Sequence, residues 1–231
     1  MKKTIMASLL AMVLVSSVAA AAPAEPVQSV VQQNTVDARV MAQPVISDGH
    51  YAADGAELTY PIISMANTKA QEKINGEIQK DIQKLLGYVQ ECREDGTVSS
   101  SGLKYEVTYL SAELLSIRME QYFYMQGAAH PMSYDYGYVF RLSDGKALKL
   151  DELHKTSLLK DRAEHYKLPA VSRAVLKQTA QREIPLYAGF TGIKDAPKEL
   201  YLDSEGHVHA LFQRYDIAPY SSGLIDIDLD I

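Results

Sequence analysis

The sequence predicts an α+β fold in which a largely antiparallel β-sheet packs against one long and two shorter helices. Residues 67–90 carry apolar side chains at helical spacing, whereas most other segments alternate apolar and polar positions between turns rich in glycine, serine and aspartate. The strands are grouped around separate helices instead of alternating with them, which favours antiparallel pairing. An apolar fraction of 47% with 23% charged residues is typical of a chain that forms a core.

The amino terminus has the three parts of a secretory signal. Lys2 and Lys3 precede the uncharged run 5–18, and the alanines at 19–22 offer a cleavage site. We therefore expect residues 1–22 to be removed, leaving an exported protein, periplasmic or secreted, with no transmembrane segment after cleavage. An uncleaved anchor is the competing interpretation, but the apolar run is short for a membrane span.

The mature chain is expected to begin with a linker. Residues 23–43 are rich in Ala, Pro, Val and Gln without sustained periodicity, which predicts a flexible segment ahead of a single domain at 44–231. Strands are predicted at 44–51 and 57–63, because a turn signal, Asp54-Gly55, separates two short strand-like segments.

The helix at 67–90 is the longest periodic segment in the chain. Asn67 or Thr68 can cap its amino terminus. Its predicted buried face comprises Ile74, Ile78, Ile82, Leu85, Leu86 and Val89.

Three consecutive strands are predicted next, at 103–110, 115–125 and 134–142. In the middle strand the odd positions are mostly apolar and the even positions mostly polar, which predicts a half-buried strand with Tyr122 and Tyr124 on its exposed face. In the third strand Tyr134, Tyr136 and Tyr138 share parity with Phe140 and Leu142, so this row is expected in the core.

The two shorter helices are predicted at 158–166 and 170–182. Strands return at 199–203, 207–213 and 225–231. In the last strand Ile225, Ile227, Leu229 and Ile231 are expected to face inward, and Asp226, Asp228 and Asp230 outward.

Charge and cysteine content exclude several classes of protein. The chain has 23 Lys+Arg against 29 Asp+Glu, a net charge of -6 that becomes -8 when Lys2 and Lys3 leave with the signal. Such a chain lacks the basic footprint of a nucleic-acid-binding protein and would attract a basic partner. One cysteine, Cys92, excludes an internal disulfide and any Cys-x-x-Cys zinc or redox pair.

His130 is the strongest catalytic candidate, and the sequence also offers it a structural role. It follows Gly127 in a short loop, with Asp135 close enough in sequence to orient an imidazole that acts as a general base. The alternative is that His130 bonds main chain and fixes the loop. Because no Gly-x-Ser-x-Gly, His-Glu-x-x-His or P-loop motif accompanies it, we expect the protein not to be an enzyme.

Two clusters could be taken for metal sites. His207 and His209 share one strand face, but a zinc site needs three or four ligands. The alternating Asp226, Asp228 and Asp230 could collect calcium, yet they also have the pattern of a solvent-facing strand side. We therefore expect no metal and no cofactor.

Tyrosines near the loops are the best candidates for ligand binding. Tyrosine offers a large, rigid, amphipathic surface that suits sugar or protein recognition, while cross-strand packing is the competing interpretation. The predicted ligand-binding residues are Tyr122, Tyr124, His130, Tyr215, Pro219 and Tyr220.

Several motifs together resemble the RsiV/PdaC-like extracytoplasmic domain family. They are YFYMQGAAH at 122–130, YVFRLSDGK with LKLDEL at 138–153, YLDSEG at 201–206 and FQRYDIAPYSSG at 212–223. Tyr60-Pro61-Ile62 and Ile74-Asn75 agree with the amino-terminal half, so the resemblance covers about 45–231.

The resemblance implies an envelope role without fixing a ligand. Domains of this family occur at the extracytoplasmic end of a lysozyme-sensing anti-sigma factor, beside polysaccharide deacetylase domains, and alone in exported proteins. We expect here an exported, non-catalytic binding module that recognises a basic extracellular protein such as a lysozyme. The alternatives are a module that binds peptidoglycan or another cell-wall glycan, and a wall-acting hydrolase centred on His130.

Overall fold

A computed structural model describes residues 43–53 and 55–231, with the side chains of Val98 and Ser99 excepted. The predicted signal at 1–22, nearly all of the predicted linker and Asp54 of the predicted turn lie outside these residues.

The described chain contains two α-helices, nine strands and three short 3₁₀ helices. The strands are β1 (Val45–Ala53), β2 (Ala56–Ser64), β3 (Val98–Leu110), β4 (Leu114–Met125), β5 (Met132–Arg141), β6 (Lys146–Ala147), β7 (Glu199–Leu202), β8 (Val208–Phe212) and β9 (Ile225–Asp228). The helices are α1 (Thr68–Glu94) and α2 (Leu168–Gln181), and the 3₁₀ helices span Leu150–Lys155, Lys160–Arg162 and Tyr220–Ser222. No helix among the described residues is both long and apolar enough to cross a membrane.

The strands form two sheets. The larger has the order β1-β2-β3-β4-β5-β6 and is antiparallel except between β2 and β3, which are parallel because α1 forms the crossover between them. The smaller sheet has the antiparallel order β7-β8-β9. The predicted α+β class with a largely antiparallel sheet is therefore confirmed.

Helix α1 packs on one face of the larger sheet through the predicted apolar side chains. Ile74, Ile78 and Ile82 are buried there. The Asn67 side chain caps the helix by accepting from the Ala70 N–H at 3.2 Å. The Asn75 amide exchanges two hydrogen bonds with the Ile63 backbone, at 2.8 and 2.9 Å, which fixes the helix to β2.

The smaller sheet covers part of the opposite face of the larger one. Its strand β7 approaches so closely that a Cβ at Gly137 of β5 would lie 2.8 Å from the Leu200 backbone. On β4, Ser116 is completely buried and accepts a hydrogen bond from the Leu202 N–H at 2.8 Å. The even row of β4 is consequently half covered. Glu120 and Tyr122 are open to solvent as predicted, whereas Tyr124 is half-buried.

The shorter helical segments depend on tertiary anchors. Residues 158–166 form a 3₁₀ turn at Lys160–Arg162 instead of a longer helix, because Arg162 and Tyr166 both donate hydrogen bonds to the buried Asp230 carboxylate. The other predicted short helix is α2, with Pro169 in its first turn. A second core lies beneath it, to which α2, β7, β8, β9 and the 3₁₀ helix Leu150–Lys155 contribute.

Candidate functional site

Tyr122 lies near the end of β4, directly opposite Ser133 of β5. Its ring packs over Gly102 of β3, where an added Cβ would lie 2.2 Å from the ring. The tyrosine nevertheless remains 44% exposed. The Tyr122 ring is therefore supported by the β3 backbone on one face and is open to solvent on the other.

Two further rings stack beside this strand end. His130 and Tyr220 have ring centroids 3.7 Å apart with an interplanar angle of 23°. The Tyr220 hydroxyl donates to the Pro131 carbonyl at 2.7 Å, so the loop joining β8 to β9 is tied to the loop joining β4 to β5. The stacked pair therefore has a fixed position relative to the larger sheet.

Tyr215 adds an outward-facing ring to the pair. Its centroid lies 5.6 Å from that of Tyr220, and the residue is 50% exposed. Its φ of 73° lies in the left-handed region, which a residue with a side chain rarely adopts. This unfavourable backbone angle is held by the surrounding loop and directs the ring outward.

Arg214 joins the loop to β5. Its guanidinium donates to the Ser133 hydroxyl and lies 5.4 Å from the centre of the Tyr220 ring. Ser133 is also the cross-strand neighbour of Tyr122, which places Tyr122 next to these groups in the sheet. We call the set of Tyr122, His130, Arg214, Tyr215 and Tyr220 the aromatic surface.

The structure brings together most of the predicted binding residues. His130, Tyr215 and Tyr220 are in contact, and Pro219 precedes the 3₁₀ turn that carries Tyr220. Tyr124 is different: it pairs with Ser100, is half-buried, and within the described part of the chain makes no hydrogen bond or ring contact with the others.

Arg214 and Ser133 are site residues that the sequence pattern did not indicate. Ser133 is an ordinary strand residue, and its contact with Arg214 joins positions 81 residues apart. The one local signal was that Arg214 directly precedes Tyr215 in the motif at 212–223.

A groove of about 660 Å³ adjoins the aromatic surface. Its walls are the start of β5, the loop 190–199 and residues 211–217. Ser133 and Arg214 line the groove as well as contacting the aromatic surface, so a ligand in the groove would lie beside the rings.

The arrangement expected of a general base at His130 is not formed. The His130 Nδ1 lies 3.1 Å from the Pro131 carbonyl. The carboxylate of Asp135 instead accepts from Nε and Nη2 of Arg118, at 3.1 and 2.7 Å. His130 in this geometry orders the loop and presents a ring.

The histidine pair belongs to a hydrogen-bonded network on the smaller sheet. His209 places Nδ1 2.8 Å from Asp226 and Nε2 3.4 Å from Asp203. Burial opposes protonation of His209, but the hydrogen bond and charge of Asp226 outweigh it, so the pKa of His209 is raised. Among the described residues, no group of three or more His, Cys, Asp or Glu side chains is arranged to hold a metal ion.

The side chain of each of the three terminal aspartates accepts a hydrogen bond from another group of the protein. Asp226 accepts from the Tyr201 hydroxyl at 2.6 Å, and Asp230 accepts from Tyr166 at 3.1 Å. Asp228 accepts from the Asp230 N–H at 2.7 Å. Hydrogen bonds across and beyond the smaller sheet therefore account for this acidic row.

Comparison with known proteins gives one match in sequence and several in fold. Residues 53–133 match the family model described as Deacetylase PdaC. No curated protein matches the chain.

Two solved structures are similar. A DUF3298 family member from Bacteroides fragilis aligns with a TM-score of 0.54 at 19% identity, over 81% of this chain and 90% of that one. A DUF3298 family protein from Pseudomonas aeruginosa aligns with a TM-score of 0.48 at 14% identity, over 80% and 88%. The first likeness concerns the fold alone. The match of residues 53–133 to the PdaC model agrees with the resemblance found in the motifs.

Proposed function

We propose that this protein is an exported, non-catalytic binding module of the cell envelope that recognises a wall glycan through the aromatic surface. The observation that carries the proposal is that the His130–Tyr220 stack and Tyr215 adjoin Arg214, which lines the 660 Å³ groove. Aromatic rings offer flat apolar faces to sugar rings, and their polar edges can bond to hydroxyl groups.

The rings are held in place before any ligand arrives. Tyr220 is fixed by Pro131 on one side and by Arg214 on the other. A preorganised surface loses little conformational entropy on binding. It therefore binds more tightly than a surface that must first become ordered.

Export and the envelope setting rest on sequence. The residues at 1–22 have the pattern of a secretory signal, and the matched family model is named after a deacetylase. The family resemblance associates such domains with polysaccharide deacetylases, which supports a wall glycan as the ligand class. The proposal of a non-catalytic role rests on Asp135, which is engaged by Arg118 and not by His130.

A basic protein of the lysozyme type is the second candidate ligand. Tyr122, Met125, Met132 and Tyr215 are exposed at the same end of the molecule, and protein interfaces are enriched in Tyr, Met and Arg. The net charge of -8 expected after signal removal would attract a basic protein over long range.

Retention on insoluble cell wall distinguishes the two candidates. We expect the mature protein to be retained by purified wall in the absence of any other protein, at both low and physiological salt. Binding to a c-type lysozyme is measured in parallel. Lysozyme binding without wall retention would favour the second candidate, and absence of both would contradict a binding role at this surface.

A further inference from the structure

The guanidinium of Arg214 is held entirely by neutral groups. It contacts the Ser133 hydroxyl and the Tyr220 ring. Arg118, Arg141 and Arg162, in contrast, each lie within 3.1 Å of an aspartate carboxylate. No carboxylate in the described ranges lies within 4.0 Å of Arg214. Arg214 is therefore oriented at the groove without a directly bonded counter-ion, although its charge reaches Asp135 and acts to lower the pKa of that carboxyl.

The rest of the groove wall carries both signs of charge. Lys194 and Lys198 are exposed on it, and neither makes an ion pair with another described residue. Of the acidic groups, Asp195 alone is both exposed and without a hydrogen-bond partner within the described groove wall. With Arg214 the wall has three basic side chains, and with Glu199 and Asp216 it has three acidic ones, so the positive charge is local to Arg214 and the two lysines.

The other two groove carboxylates, Glu199 and Asp216, accept hydrogen bonds from the protein itself. Glu199 accepts hydrogen bonds from the Tyr134 hydroxyl at 2.9 Å and the Gly137 N–H at 3.1 Å. Burial raises the pKa of Glu199, while these two hydrogen bonds act to lower it. Asp216 accepts from the Gln213 N–H at 2.7 Å.

We infer that the groove selects glycans bearing carboxylate groups, with Arg214 as the specificity-determining residue. The inference rests on the proposed glycan-binding function and names its ligand class. A planar guanidinium held in position can donate two parallel hydrogen bonds to a carboxylate, and lysine cannot reproduce that geometry. Lys194 and Lys198 increase the local attraction for an anionic chain. Stacking on Tyr215 supplies the contact with the sugar ring, which an acidic peptide lacks.

Oligogalacturonate and its methyl ester form a matched pair of probes, because esterification removes the charge and keeps the sugar backbone. We expect the mature protein to bind the acid at least about tenfold more tightly than the ester by calorimetry. Arg214→Gln should abolish this preference, and Arg214→Lys should restore only part of it. Arg173→Gln, an exposed arginine outside the groove on α2, is the control and should leave the preference unchanged.

The outcomes separate this inference from the function on which it rests. Equal binding of acid and ester by the wild type would overturn the inference and leave glycan binding intact. Binding of neither probe would overturn the inference, and the wall-retention assay then decides the proposed function separately. Equal binding of poly-glutamate would show that charge alone is recognised and would also overturn it. If Arg214→Gln lowers the melting temperature, the Lys194→Gln/Lys198→Gln double variant provides the test, with an expected reduction of about threefold in the preference for acid; an unchanged preference would contradict the inference.

Discussion

Replacing Arg118 with methionine is expected to lower the free energy of unfolding by about 3–5 kcal/mol. Arg118 binds the carboxylate of Asp135 through two nitrogens, and the Asp135 side chain is only 5% exposed. Methionine keeps much of the apolar stem but leaves this carboxylate in the interior without its partner. Urea unfolding of both proteins at neutral pH measures the difference.

The loss of stability in Arg118→Met should increase as the pH rises. Burial raises the pKa of Asp135 above its usual value, while Arg118 lowers it. Without Arg118 the folded-state pKa rises further, so the folded variant holds the proton more tightly than the unfolded chain. Its stability deficit should be small at pH values below the ordinary aspartate pKa and should grow as pH rises.

A second cross-strand ion pair of the same sheet provides the control. Lys104 and Glu120 pair across β3 and β4, but their side chains are 73% and 47% exposed. Lys104→Met should therefore cost less than about 1 kcal/mol. Equal losses for the two variants, or a deficit for Arg118→Met that does not change with pH, would contradict this account of Asp135.

Replacing Gln213 with leucine is expected to cost about 2–5 kcal/mol, since two buried backbone groups lose their partners. Strand β6 pairs with Phe140 and Arg141, so among the described strands none lies beside the earlier part of β5 on that side. There the Gln213 amide accepts from the Asp135 N–H at 2.9 Å and donates to the Asp135 carbonyl at 2.8 Å. The side chain thus takes the place of a strand.

Gln90 offers a comparison of the same chemical change on the surface. It is exposed on α1 and bonds only to Glu94. Gln90→Leu should change the stability by less than about 0.5 kcal/mol. Denaturant unfolding should rank Gln213→Leu well below Gln90→Leu, and similar stabilities would mean that Gln213 does not protect the β5 edge.

Local sequence patterns predicted the helices and strands more accurately than they predicted the contacts between them. The positions of Ile74, Ile78 and Ile82 indicated both α1 and its buried face, because helical periodicity is contained in a short stretch of sequence. The row of Tyr134, Tyr136 and Tyr138 was placed in the core for the same kind of reason; Tyr136 and Tyr138 are buried there, and Tyr134 is half-buried. Ser116 was assigned to an exposed face, since no local pattern could indicate that β7 would cover it.

The candidate site shows the same difference between locally encoded residues and contacts that form only on folding. The sequence indicated His130, Tyr215 and Tyr220 as aromatic loop residues, and the structure brings them together. It did not indicate Arg214, whose role depends on Ser133, a residue distant in sequence and adjacent only after folding. Tyr124 has the same parity as Tyr122, yet it lies two residues farther along β4, opposite Ser100 and outside the aromatic surface.

The central claim, that the aromatic surface is the ligand-binding site, is tested most directly by comparing two tyrosine variants on insoluble cell wall. Tyr215 and Tyr88 are similarly exposed, at 50% and 48%, but Tyr88 lies on α1 and outside the aromatic surface. We expect Tyr215→Ser to weaken wall binding by about fivefold or more and Tyr88→Ser to bind as the wild type does. Equal retention of the two variants would contradict the claim.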